Sequence, residues 1–391
     1  MTVTTVIFLV ASVVLLHTYA LYPFVLRLMR TRDREPRPAS ASRHHATHDT
    51  SQTWPTVSVI IPFHNEDQWV ARKLENTLSW DYPTDRLEII AVSDGSTDQT
   101  HAMLESYAGR VRVVSYYPRC GKPTALNRGA ELARGEIFVF TDANVLLEPK
   151  AIRAMIARYE EATVGGVCGR IALHPEGADE PLGEGLYMRY EQGLYHLESA
   201  TGTMVGADGA FFSIRRELFT QLPPDTIADD LSIALQVIAK GRRVVYEAEA
   251  HGAEVVIPNV RAEFCRKVRM IVGGYQALGR FRYLLNPLRF PLVSFQLVSH
   301  KLLRWWTPFF LGAVFVSAAI NAAEHLLFAA AFAAQGVFYG FALLGWGSST
   351  SRRWGGVYIP YYFCATNVAA VQGLWRFLHG RQVITWEKVG R

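Results

Sequence analysis

The sequence predicts an α/β protein built on a parallel sheet and flanked by apolar segments of membrane-spanning length. Three observations carry this. Between Val57 and Asp142, short apolar runs alternate with helical patterns. Val3 to Leu26 form a long apolar stretch, and apolar residues crowd again from Phe290 to Leu378. Between these extremes the 391-residue chain has ordinary globular composition, enough to bury a sizeable core.

The elements follow in order. Val3 to Leu26 carries no formal charge apart from a possible charge on His17, and a spanning helix needs about 20 residues. A cleaved signal peptide calls for a basic start, a shorter apolar core and a small-residue cleavage site. "MTVTT" has no basic residue; Arg27, Arg30, Arg32, Arg34, Arg37 and Arg43 come afterwards. Residues 1–29 therefore read as an uncleaved anchor, with Arg27 onward in the cytoplasm by the positive-inside rule. Residues 30–55, rich in Arg, Pro, Ser, Thr and His, read as a linker.

"VSVIIP" (57–62) is a continuous apolar run, as a strand buried on both faces requires. "DQWVARKLENTLSW" (67–80) is helical, "LEIIAVSD" (87–94) a second strand, "TDQTHAMLESYA" (97–108) a helix and "VRVVSY" (111–116) a third strand. "KPTALNRGAELAR" (122–134) is helical and "IFVFTD" (137–142) a fourth strand. In such sheets ligands sit beyond the carboxyl ends of the strands. Three acidic clusters fall there: Asn65-Glu66-Asp67, Asp94 and Asp142-Ala143-Asn144. One carboxylate after a strand is often the N-cap of the next helix; three after three strands of one sheet point to a shared site.

From Arg261 to Arg282, Phe264, Val268, Ile271, Tyr275 and Leu278 make one helical face, with Arg266, Lys267, Arg269 and Arg280 off that stripe. This reads as a helix at the membrane surface, the alternative being a helix packed on the soluble domain. Residues 259–305 are grouped as interfacial amphipathic helices, although 290–306 also suits the start of a span. Residues 306–380 hold the span candidates 307–323, 326–346 and 357–378, and 381–391 are a tail. With three C-terminal spans "RFLHGRQVITWEKVGR" ends outside, whereas its basic residues place it inside, so the two rules disagree on the span count.

The net charge of +5 is modest, and much of the basic charge flanks apolar segments. A membrane surface explains it; nucleic acid does not. The four cysteines, Cys120, Cys168, Cys265 and Cys364, form no C-x-x-C pair, so neither a zinc site nor a disulfide framework is indicated. That usage fits a reducing cytosol.

Taken together, "VSVIIPFHNED", "EIIAVSDGSTDQT", "RCGKPTALNRGAELARGEIFVFTDANVLLEP", "GADGAFFSIRREL" and "IADDLSIALQVIAKGRRVVYEAEA" closely resemble the family-2 glycosyltransferases. Within that family the chain is similar to the membrane-embedded polysaccharide synthases, such as those of cellulose, hyaluronan and poly-N-acetylglucosamine. The resemblance covers about residues 55 to 285 and implies a GT-A fold, a Rossmann-like nucleotide-sugar-binding domain in the cytoplasm (56–258), and inverting sugar transfer at the plasma membrane.

The resemblance also implies roles. Asp142 and Asn144 stand at the family's Asp-x-Asp position and would hold Mg2+ or Mn2+ against the donor diphosphate. Hard cations take such oxygen ligands, though Asn144 also suits a turn. Replacing it with Asp is expected to tighten metal binding if its amide is a ligand. Glu66 and Asp94 match nucleotide-contacting positions, and Lys122 at a helix start suits a phosphate. "IADDLS" resembles the Thr-Glu-Asp motif, so Asp230 maps to the general base and Asp229 to the acceptor-side carboxylate beside it; both also suit the cap of the helix that follows. Asp208 falls in the acceptor pocket.

The Gln-x-x-Arg-Trp motif appears as "RKVRM": Arg269 is kept for the diphosphate, Arg266 replaces Gln on the nucleotide-sugar side, and Met270 replaces the Trp that stacks on the acceptor. That loss argues against a processive synthase with its own channel, unless Tyr275 or Trp305 takes over the stacking. The expected partners are a nucleotide sugar, UDP-linked by family habit, a saccharide or lipid-linked acceptor, membrane lipids, and export or accessory subunits. A nucleotidyltransferase would want a Gly-rich loop after the first strand, and "PFHNEDQ" has no Gly. A sugar-nucleotide sensor would have lost its base, and Asp230 is intact.

Overall fold

The computed structural model describes residues 2–30, 54–175, 182–256 and 260–380. Nearly all of the expected linker, 31–53, and the tail, 381–391, lie outside the described residues. The chain forms two compact units.

The first unit is a mixed sheet with helices on its faces. Its elements are β1 (Val57–Phe63), α2 (Asp67–Leu78), β2 (Leu87–Asp94), α3 (Thr100–Glu105), β3 (Arg112–Tyr116), α4 (Lys122–Leu132), β4 (Ile137–Thr141), β5 (Val145–Leu147), α5 (Ala151–Ala157), β6 (Val164–Pro175), β7 (Phe211–Arg215), α7 (Asp229–Ala239) and β8 (Arg243–Val256). The strands run in the order β3-β2-β1-β4-β7-β6-β8-β5. The first four are parallel, as the sequence indicates. Beyond β4, where the alternating pattern ends, the sheet is mixed: β7 is antiparallel to both β4 and β6, and β5 antiparallel to β8. β5 has three residues and β7 five, too short for their pairing direction to be read from periodicity.

The apolar run of β1 is buried along its length, with Val59 and Ile61 in one core with Val70 and Leu74 of α2. The chain moves outward from β1 through β2 to β3, then returns to place β4 on the other side of β1. The β1/β4 boundary is thus a topological switch point, where a crevice opens beyond the strand ends. Glu66 follows β1, Asp94 ends β2 and Asp142 follows β4.

The second unit holds α1 (Val3–Met29, with a π-helical turn at His17–Leu21), α6 (Leu182–Thr201) as far as Leu194, α8 (Val260–Arg280), α9 (Pro291–Asn321, with a π turn at Leu297–Leu302), α10 (Leu326–Gly347) and α11 (Gly355–Leu378). Among the described residues α1, α9 and α10 are long and apolar enough to cross a membrane. α11, expected as a further span over 357–378, is not among them. Residues 291–305, grouped with the interfacial helices, continue without a break into the next helix.

On α8 the expected stripe is buried at Val268, Ile271, Tyr275 and Leu278. Lys267, expected off the stripe, is also buried: its ammonium lies 3.2 Å from Glu263 and over the rings of Tyr187 and Tyr362. The carboxylate of Glu191 is held by Arg304 at 2.6 Å and His300 at 2.9 Å. Burial opposes its charge, but Arg304 and His300 outweigh that and hold its carboxyl well below the usual range.

Candidate functional site

Two loops frame the crevice. After β1, Asn65 adopts a left-handed conformation (φ 52°), which Asn tolerates better than most residues. Its side-chain oxygen accepts from the Thr97 N–H at 2.8 Å, and its own N–H donates to Ser96 Oγ at 3.2 Å. This pins "HNED" to "SDGST". Gly95 (φ 58°) is required between them, because a Cβ there would lie 2.5 Å from the Arg119 backbone nitrogen.

The Asp94 carboxylate accepts two backbone N–H bonds, from Cys120 at 2.7 Å and Gly121 at 2.8 Å. It thereby orders the turn that starts α4 and delivers Lys122. Glu66 is buried, its carbonyl accepting from Trp69 and its N–H donating to Thr100 Oγ1 at 2.7 Å. Both carboxylates thus sit in the loops that shape the crevice, and Glu66 opens α2 through its backbone.

The chemistry-bearing groups meet at Lys122. Its ammonium lies 2.8 Å from Asp142 Oδ1 and 3.2 Å from Asp229 Oδ2. Burial works against its charge, but Asp142 and Asp229 more than offset this and raise its pKa, so it stays protonated. One nitrogen therefore joins the end of β4 to the start of α7, residues 87 positions apart in sequence. Asp230 is next to Asp229, and its Oδ1 accepts from the Leu231 N–H at 2.7 Å. Burial and then the neighbouring Asp229 push its carboxyl up to about 6, against the Leu231 bond and Lys122.

The Asp208-Gly209 turn lies against that carboxylate. A Cβ on Gly209 would sit 3.2 Å from Asp230 Cβ and 3.3 Å from Oδ2. Asp208 Oδ1 accepts from the Ala210 N–H at 3.1 Å, and its N–H donates to Cys168 Sγ at 3.2 Å. Asp142, Lys122, Asp229, Asp230 and Asp208, chosen from four separate motifs, thus form one cluster.

Asn144 is tied to β8. Its amide nitrogen donates to Glu254 Oε1 at 3.2 Å and to the Val255 carbonyl at 3.4 Å, and Val255 N–H returns a bond to the Asn144 carbonyl at 3.3 Å. Glu254 explains the amide, since a carboxylate at 144 would face another carboxylate. With its nitrogen committed, only Asn144 Oδ1 is available to a metal.

A metal held by Asp142 and Asn144 would have one carboxylate and one amide oxygen as its protein donors, both hard. Among the described residues no three His, Cys, Asp or Glu side chains gather around a point that suits a metal. Such a site fits an ion that takes its remaining ligands from phosphate and water, as Mg2+ does in phosphate-binding sites.

Sequence reasoning missed three contributors. Gly209 makes room for Asp230, Glu254 anchors Asn144, and Lys73 on α2 reaches under the β4–β5 loop. Lys73 is fully buried, and burial pulls its ammonium down to about 7 although Asp142 opposes this. Its signal was legible: a lysine within the inward stripe Val70, Lys73, Leu74, Thr77. Arg266, Arg269 and Met270 belong to the second unit. There Arg266 pairs with Glu263 at 2.7 Å, and Met270 is half exposed.

A switch-point crevice on a mixed sheet, with a strand-end carboxylate facing an acidic helix start, defines a GT-A protein with candidate membrane-spanning helices. The chain matches the family Glycosyl transferase family 2 over residues 58–222 and so carries a family-2 glycosyltransferase domain. It is 25% identical over 269 residues to a beta-monoglucosyldiacylglycerol synthase of Synechocystis, covering 66% of this chain and 55% of that one. It is 24% identical over 247 residues to a poly-beta-1,6-N-acetyl-D-glucosamine synthase of Staphylococcus aureus, covering 60% and 59%. The chain thus spans little more than half the length of these curated relatives. Among solved structures, a mannosyltransferase of Pyrobaculum calidifontis in complex with GDP-Man and Mn2+ shares the fold, with a TM-score of 0.68 at 24% identity over 94% of this chain and 99% of that one.

Proposed function

We propose that this protein is a membrane-bound, inverting glycosyltransferase that moves a sugar from a nucleotide diphosphate donor to a lipid-linked or saccharide acceptor. The observation that carries the reading is the Lys122 bridge, which holds Asp142 at 2.8 Å and Asp229 at 3.2 Å from one nitrogen. It sets the donor-side carboxylate next to the acceptor-side pair, as direct transfer between two bound substrates requires.

In this reading Asp230 takes the proton of the acceptor hydroxyl as its oxygen attacks the anomeric carbon. The bond from that carbon to the diphosphate breaks on the opposite face, which inverts the centre. A carboxyl raised to about 6 is mostly ionised at neutral pH yet basic enough to accept that proton. Lys122 is placed to meet the diphosphate, while Asp94 and Glu66 shape the nucleotide side. Asp142 and Asn144 would hold Mg2+ or Mn2+, whose charge offsets that of the departing diphosphate.

Met270 and the three candidate spans favour single transfer to a lipid-linked acceptor over processive synthesis. Both acceptor classes have a precedent in the names of the relatives, one a diacylglycerol glycoside synthase and one a polysaccharide synthase. In this reading the catalytic domain faces the cytoplasm at the plasma membrane, supported by the basic residues from Arg27 onward that follow the first candidate span.

The test is a donor panel. Membranes containing the full chain are given radiolabelled UDP- and GDP-sugars, and the label is followed into lipid-extractable and polymeric product. Transfer from one donor into the lipid fraction, lost in Asp230→Asn, is expected. Label that accumulates in long polymer would overturn the single-transfer reading, and no sugar transfer from any donor would overturn the function.

A further inference from the structure

The loop that carries Asp142 and Asn144 is gripped from beneath by α2. Lys73 donates to Thr141 Oγ1 at 2.9 Å and to the Val145 carbonyl at 2.5 Å. These acceptors bracket Asp142-Ala143-Asn144. One turn further along α2, Asn76 donates to the Leu147 carbonyl at 2.9 Å and accepts from the Leu147 N–H at 3.0 Å. From the opposite side β8 holds Asn144 through Glu254 and Val255.

A fully buried ammonium is costly to desolvate. An apolar side chain of similar length would fill the same space without that cost, but would leave the Val145 carbonyl and the Thr141 hydroxyl without their Lys73 donor. What an apolar residue cannot supply is a pair of directional bonds to the two ends of the loop. Asp142 and Asn144 lie between those ends, so their separation depends on the ties.

We propose that Lys73 is a positioning residue for the metal-bearing loop, tying Thr141 to Val145 and so fixing how Asp142 and Asn144 are presented to a divalent cation. The inference rests on the reading of Asp142 and Asn144 as that cation's ligands. Lys73 touches neither substrate nor ion; it acts through the loop.

Charge and geometry give opposite signs here. The Lys73 charge acts on Asp142, so removing it tightens cation binding on electrostatic grounds alone. Removing the ties loosens it. The experiment measures Mn2+ uptake by the full-length chain in detergent, from loss of the free-ion EPR signal, alongside the unfolding temperature.

Lys73→Met is expected to bind Mn2+ about tenfold more weakly or worse, the scale seen when outer-shell partners are removed, at temperatures well below the variant's own unfolding temperature. Thr141→Val removes one tie and no charge. It is expected to weaken binding about threefold, the scale of one net hydrogen bond, and it decides the matter should Lys73→Met not fold. Unchanged or tighter binding in the deciding variant overturns the proposal, as does a loss that only tracks a lowered unfolding temperature. Asp142→Asn separates the two levels. If wild type takes up Mn2+ no better than Asp142→Asn, the metal reading itself fails. If Asp142→Asn loses uptake and the deciding variant keeps it, only the role of Lys73 fails.

Discussion

Asn144→Asp asks directly why an amide stands where the family resemblance places a carboxylate. Sequence alone suggests that an added charge tightens metal binding. The structure adds Glu254, whose Oε1 accepts from the Asn144 amide at 3.2 Å. The substitution removes a hydrogen bond to a charged group, worth about 1.5–3 kcal/mol. It also sets two carboxylates face to face, which at about 4 Å and an effective dielectric constant of about 20 costs up to about 4 kcal/mol. Both residues are partly exposed, and screening shrinks both terms, leaving about 2 kcal/mol. For a domain of this size that is a fall of about 4–8 °C in unfolding temperature. Asn144→Asp in EDTA is therefore expected to melt that much lower. Glu254→Gln added to it restores a donor and should recover most of the loss, the coupling expected of residues in contact. Scanning fluorimetry of the single and double variants in EDTA makes the measurement. A single variant as stable as wild type, or a double variant no better than the single, refutes the explanation.

Asp230→Asn should lower kcat by about 10²–10⁴-fold, the usual span for a general base, while leaving donor binding measurable by calorimetry; near-normal turnover would remove Asp230 from the mechanism. The pH profile should lose kcat/KM on the acid side of about 6, where Asp230 takes up its proton. Lys122 lowers that pKa, so Lys122→Met should move the acid limb to higher pH; a limb that stays put would disconnect the two groups. Gly209→Ala places a Cβ 3.2–3.4 Å from the Asp230 side chain, and a shift of a few tenths of an ångström there should cost about tenfold in kcat with little change in unfolding temperature.

The parallel half of the sheet was legible because β1, β2 and β4 are largely buried on both faces and carry mostly apolar runs. The antiparallel half was not: its direction is set by pairing between β7 and two partners distant in sequence, which local pattern does not encode. Within the site, Asp142 could be named because it follows a strand visible in the sequence, and Lys122, Asp229 and Asp230 because their motifs resemble those of the family. Their meeting at one nitrogen could not, since it depends on how α7 docks. Glu254 and Gly209 gave no local signal; one acts across the β5–β8 edge and the other by lacking a side chain. Lys73 did signal, as a charge within an apolar stripe.

The charges gathered at the site support the metal reading independently of any motif. Asp142, Asp229 and Asp230 all act on the Lys122 ammonium, which contacts the first two, and Asp208 adds its charge at Asp230. A nucleotide diphosphate adds at least two more negative charges. Placed next to Asp142 it competes with the carboxylates for Lys122, and each carboxylate–phosphate approach to about 4 Å costs up to about 4 kcal/mol at an effective dielectric constant of about 20. Lys122 cannot neutralise both the carboxylates and the leaving group, whereas a divalent ion on Asp142 and Asn144 would let Lys122 serve the diphosphate. Chelation should then weaken donor binding as well as turnover, so calorimetry in EDTA should show the nucleotide's affinity reduced by about tenfold or more, the range in which such charge compensation is worth a kcal/mol or two. Donor binding unchanged after thorough chelation would mean that the chain neutralises the diphosphate with its own cations, and that Asp142 serves Lys122 rather than a metal.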